Sequence, residues 1–144
     1  MPDDNEYRIR LKTQDGFVEA SIILHDVAPG SKSLSMIELF SPLVNLTVTG
    51  DHGYFHLFKS LRRQLERIGA FPECAGGAIN AIQSGMAGQM GDGGMIYLAE
   101  IGRRTAMSDL RYFLDVPQDL KLGTVDETEA FREAWLNSVL GKKV

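Results

Sequence analysis

The stretch Leu46-Thr47-Val48-Thr49-Gly50-Asp51-His52-Gly53-Tyr54-Phe55-His56-Leu57-Phe58-Lys59-Ser60-Leu61 decides the fold, because the hydrophobic period changes within it. Up to Thr49 apolar residues alternate with polar ones, the period of two expected of a strand buried on one face. From Tyr54 they recur at three and four residues, through Phe58, Leu61, Leu65 and Ile68, and describe one face of an amphipathic helix. Asp51 is positioned to cap the start of that helix and Gly69 its end. A strand region therefore gives way to a helical one, and the expected class is α+β.

Upstream, Tyr7, Ile9 and Leu11 alternate with Arg8, Arg10 and Lys12, and Asp15-Gly16 makes a hairpin turn to a second strand over Phe17 to Leu24. Leu34 to Phe40 and Leu43 to Thr49 supply a third and a fourth, separated by Pro42. Short connections imply an antiparallel meander of about four strands. Downstream, Gly76, Gly77, Gly85, Gly88, Gly91, Gly93 and Gly94 hold seven of the 15 glycines. Ile79, Ile82, Met86 and Met90 keep a helical spacing there, so a short helix packed on the sheet is expected within this glycine-rich segment. Met95 to Ile101 reads as a fifth strand, and Ser108 to Val116 as either a strand or a helical turn, with helix preferred. Thr124 and Glu127 form a T-x-x-E capping box before a C-terminal helix with Phe131, Trp135 and Val139 on one face.

The 144 residues, 44% hydrophobic and 24% charged, fit a single domain spanning 1–144. Cys74 is the only cysteine, which excludes an internal disulfide and a multi-cysteine zinc site and favours a reducing, cytoplasmic compartment. No apolar run is long enough to cross a membrane, and the acidic start, Asp3-Asp4-Asn5-Glu6, is unlike a signal peptide. A net charge of −4 repels nucleic acid, so neither a nucleic-acid nor a membrane partner is expected. Lys59, Arg62, Arg63, Glu66 and Arg67 read as a solvated basic face of the first helix. The last helix region is acidic.

No catalytic set emerges. The glycines fit neither a Walker loop nor G-x-G-x-x-G, and no Lys or Arg lies between Phe71 and Ile101, so they read as sites of tight backbone packing or a partner-facing loop. His52 and His56 have the four-residue spacing that can place two imidazoles on one metal, but two ligands make no site. Cys74 is a nucleophile candidate whose commoner role is a buried small hydrophobe. Ser84 lacks the glycine that would precede it in a G-x-S-x-G elbow. No cofactor is implied.

Together Gly53-Tyr54-Phe55, Cys74-Ala75-Gly76-Gly77-Ala78, Ser84-Gly85-Met86, Met90-Gly91, Gly94, Tyr97, Glu129-Ala130-Phe131 and Trp135-Leu136 resemble a family of small, largely uncharacterised bacterial proteins. The chain departs from its pattern at Gly77, Gly88, Met95 and Ile96, where Arg or Lys is expected, and at Gln83, where proline is expected. Some members lie beside genes for polymorphic toxins, so the resemblance implies an immunity role. The expected function is thus toxin neutralisation by direct protein–protein contact, with the small positions after the basic helix matching the shape of the partner. The expected contacts are Ser84, Gly85, Met86, Met90, Gly91 and Asp92, with Asp126, Glu129 and Glu133 facing a basic toxin. A small enzyme or ligand sensor using Cys74, His52 and His56 is the alternative, and a homodimer formed through an exposed sheet edge is a third expectation.

Overall fold

In the computed structural model, residues 5–26, 34–84 and 92–140 are described. Strands β1 (Glu6–Thr13), β2 (Gly16–Asp26), β3 (Ser35–Phe40) and β4 (Asn45–Gly50) form the expected antiparallel meander. The β1–β2 turn is closed by Thr13, whose hydroxyl donates to Gly16 O and accepts from Asp15 N, with Gly16 at φ 121°. Helix α1 (Tyr54–Glu66) follows and ends as expected at Gly69, where Ala70 N bonds Leu65 O and Gly69 N bonds Glu66 O at a φ of 73°.

A short strand, β5 (Phe71–Glu73), then adds to the far side of β1 and completes a five-stranded sheet in the order β4-β3-β2-β1-β5. A second sheet of three strands contains β6 (Ala81–Ile82), β7 (Met95–Leu98) and β8 (Leu110–Tyr112). Helix α2 (Val125–Leu140) closes the chain, its start fixed by the expected capping box: Thr124 Oγ1 accepts from Glu127 N, and Glu127 Oε1 accepts from Thr124 N.

Ile9, Leu11, Ile22, Leu24, Ile37, Leu39 and Val48 line the inner face of the large sheet and meet Leu57, Phe58, Leu61 and Leu65 of α1. The other face carries Arg8, Arg10, Lys12, Glu19, Glu38, Thr47 and Thr49, interrupted by Phe17, Ile23, Met36 and Phe40. Among the described residues no helix is long and apolar enough to cross a membrane.

Three local expectations are corrected. Ser108 to Val116 is not helical: a 3₁₀ turn at Met107–Asp109 leads into β8, because Leu110 and Tyr112 pair with Tyr97 and Met95 across the small sheet. No helix forms at Ile79 to Ile82, because Ala81 and Ile82 pair with Leu98 and Tyr97 as β6; Met86 and Met90 lie outside the described residues. Asp51 does not cap α1. The N-cap is Gly53, which makes no side-chain bond, and the orphan amides of Tyr54 and Phe55 donate instead to Asp92 O and Gly93 O at 3.2 and 3.1 Å.

Candidate partner-binding site

The glycines Gly93 and Gly94 exist for that cap. A Cβ on Gly93 would stand 2.7 Å from Gly53 Cα, and one on Gly94 would stand 2.5 Å from the Tyr112 ring, so the loop reaches the helix only without side chains. Asp92 locks it: Oδ1 accepts from Gly94 N at 2.9 Å and Oδ2 from the Tyr112 hydroxyl at 2.8 Å. Burial, together with the neighbouring Asp92 carboxylate, pushes the Tyr112 phenol well above its ordinary pKa. From the other side Gln83 Nε2 donates to Gly93 O and Met95 O, at 2.8 and 2.9 Å. The two ends of the stretch 85–91 are thereby held together. Gly76 and Gly77 are similarly consumed inside, packed on Phe113 and Pro72. The small positions at 76, 77, 93 and 94 thus serve packing within the chain. Gly85, Met86, Met90 and Gly91 lie outside the described residues.

The charges expected to face solvent on two helices in fact meet each other. α1 and α2 run antiparallel, with Glu66 Oε2 accepting from Val125 N at 2.7 Å, Arg63 beside Asp126 at 3.2 Å, and Lys59 on Glu129 at 2.6 Å. The hydrogen bond from Lys59 holds the Glu129 carboxyl below the usual carboxylate range. Arg62, read as part of a solvated face, is only 1% exposed. Its Nη1 donates to Gly76 O, and its Nη2 donates to Gly123 O and Thr128 Oγ1, at 3.2, 3.0 and 3.0 Å; Nε has no partner among the described residues. Burial lowers its pKa from the ordinary arginine value. One guanidinium therefore ties α1 to the turn after β5, the loop before α2 and the first turn of α2.

Beyond that turn α2 buries little. Only Val125 and Thr128 are buried, while Phe131, Trp135, Leu136 and Val139 remain half-buried and Leu140 is exposed. The distal half is braced by the loop after β7: Trp135 Nε1 donates to Arg103 O, and Gly102 N to Ser138 Oγ, at 2.9 and 2.8 Å. Arg103 is held in turn by Glu100 and Asp109. Ile101 and Met107, on this loop, are 55% and 69% exposed. Glu133 is exposed and makes no ion pair among the described residues, and Ile101, Met107 and Leu140 are exposed apolar side chains. Sequence reasoning placed Trp135 and Val139 in a helix face without seeing that this face is only half covered. Met107, in the polar run Arg104-Thr105-Ala106-Met107-Ser108, was the available signal.

A cleft of about 150 Å³ lies between Gln83, the neighbour of Ser84, and Arg132, the neighbour of Glu133, with His56, Lys59 and Phe55 on its α1 side. Asp126 and Glu129 are engaged by α1, and Asp92 by Tyr112.

The reactive set of the alternative reading does not assemble. Cys74 is fully buried in the hydrophobic core, and desolvation pushes its thiol up to about 12, which removes the thiolate a nucleophile needs. His52 and His56 stack edge to face at 5.3 Å on the outside of the α1 start. Among the described residues no group of three His, Cys, Asp or Glu side chains is arranged to hold a metal. No protein-family model matches the chain, and no curated protein matches it either.

Proposed function

We propose that this protein is a toxin-neutralising binding protein of the immunity type, acting in the cytoplasm by direct contact with a cognate protein toxin. The observation that supports it is the incomplete burial of the distal half of α2, a helix anchored at its first turn by buried Arg62, together with exposed Ile101 and Met107 on the loop that braces it. Apolar and methionine side chains bordered by charge are the composition of protein-binding surfaces. Cys74, the nucleophile candidate, is committed to the core, and Asp92, an expected contact, is bonded to Tyr112. Contact then draws on exposed Ile101, Met107 and Leu140 as apolar contacts and on exposed Glu133 and Ser84 as polar ones.

Co-expression with the toxin encoded by a neighbouring gene is the test. Growth should be restored by the wild-type chain and lost with Met107→Asp combined with Glu133→Lys, two exposed positions whose change leaves the fold intact. A toxin equally lethal with and without the chain ends the proposal.

A further inference from the structure

The five-stranded sheet ends in two unlike edges. β5 is three residues long, contains Pro72, which has no N–H to offer, and ends in Glu73, whose carboxylate is tied to Arg10 at 2.7 and 3.0 Å. Short length, proline and charge are the devices by which sheets blunt an edge. β4 has none of them. It runs from Asn45 to Gly50 as Asn-Leu-Thr-Val-Thr-Gly, and no charged residue occurs from Ser41 to Gly50 in a chain of which 24% is charged. Its outward backbone groups find no hydrogen-bond partner among the described residues.

We propose that β4 pairs antiparallel with β4 of a second copy of this chain, about a twofold axis normal to the sheet, so that two sheets join into one. A twofold contact sets a strand against itself, and a charge near the axis would meet its own kind. An uncharged strand meets no like charge when set against itself, and it offers a charged foreign strand no complementary charge. The side-chain parity also fits. Leu46 and Val48 point to the face covered by α1, and Asn45, Thr47 and Thr49 to the open face. A twofold preserves these faces when Thr47 lies opposite the partner's Thr47 and Asn45 opposite the partner's Thr49, a polar ladder of the kind that stabilises paired strands. Phe40 and Leu43, 41% and 47% exposed in and beside the β3–β4 turn, add apolar surface next to the seam. Because the β5 edge is blunted, association stops at two copies and builds no filament. The proposal does not depend on the toxin-binding reading, since α2 takes its packing from α1 and β6.

Sedimentation equilibrium of the full chain from about 1 μM to about 1 mM, the range of weak specific contacts, should show monomer and dimer in exchange. Thr47 is exposed, so Thr47→Lys and Thr47→Glu leave the fold unchanged by circular dichroism. Each alone should weaken the dimer about tenfold or more through like charges facing across the seam, and an equimolar mixture of the two should dimerise again. Thr49→Lys, on the next rung of the same face, gives the same loss if either Thr47 variant folds poorly. A wild-type chain that stays monomeric throughout, a Lys variant as dimeric as wild type, or a mixture no tighter than its components overturns the proposal.

Discussion

Gly93→Ala should damage this protein far more than Gly69→Ala, although both residues have the same backbone sign. Gly69 sits at φ +73° with nothing within 4 Å of the position a methyl would take, while Gly93 sits at +77° with Gly53 Cα at 2.7 Å and Tyr54 N at 3.4 Å. The left-handed conformation costs an alanine about 1–2 kcal/mol, partly offset by the entropy that alanine removes from the unfolded chain, so Gly69→Ala should cost about 1 kcal/mol. At Gly93 the methyl meets backbone, which cannot rotate away. The loop must back off, and the bonds from Tyr54 N to Asp92 O and from Phe55 N to Gly93 O lengthen or break. At about 0.5–1.5 kcal/mol for each lost bond, the total for Gly93→Ala comes to about 3 kcal/mol. With a urea dependence of about 2 kcal/mol per molar, the unfolding midpoint should fall by about 1.5 M for Gly93→Ala and about 0.5 M for Gly69→Ala. Hydrogen exchange at the Tyr54 and Phe55 amides should accelerate only in the Gly93 variant. Equal midpoint shifts, or unchanged exchange at those two amides, would refute the account of the glycine-rich segment as a backbone cap for α1.

Two further substitutions test the interior. Arg62→Met should cost about 3–5 kcal/mol in thermal unfolding, because it strands Gly76 O, Gly123 O and Thr128 Oγ1 without their buried donor, and Arg62→Lys should recover only part of that. Cys74 sets a pH dependence: below about pH 9 folded and unfolded chains both carry the neutral thiol, and above it only the unfolded chain ionises, so its share of stability is lost as pH rises from 9 toward about 12. The loss should reach about 1 kcal/mol near pH 10 relative to Cys74→Ala, measured by denaturant unfolding of both chains.

The sequence was most legible where structure is local. Alternation in Tyr7 to Lys12, the helical stripe from Tyr54 to Leu65 and the Thr124–Glu127 box each carry their own energetic reason and need no distant partner. β5, β6 and β8 are three, two and three residues long. Strands so short have no period to read, and they exist because β1 and β7 offer them a ladder. The same limit explains the cap of α1, whose acceptors come from Asp92 and Gly93, far along the chain. The five described residues among the expected contacts, Ser84, Asp92, Asp126, Glu129 and Glu133, are all exposed, and Asp92 is nonetheless bonded to Tyr112, twenty residues away, a partner no local pattern announces. Arg62 did announce itself: with Phe58, Leu61 and Leu65 it completes an i, i+3, i+4, i+7 stripe, and an arginine within an apolar stripe requires buried acceptors.

Pairing between the helices changes what recognition of a basic toxin would rest on. Net charge alone suggests that the acids of α2 steer the partner in. Yet Asp126 and Glu129 each stand against a cation of α1, so the field they project outward is that of an ion pair, which falls off faster with distance than that of a free carboxylate. Glu133 is exposed and makes no ion pair among the described residues, and Ile101, Met107 and Leu140 are exposed apolar side chains. On the proposed reading, affinity then comes mainly from covering those apolar side chains, which is insensitive to salt, and steering supplies only a modest gain in association rate. The ion pairs between the helices lie at the surface and add only modestly to the anchoring of α2, which rests on buried Arg62 and its bonds to Gly123 O and Thr128 Oγ1.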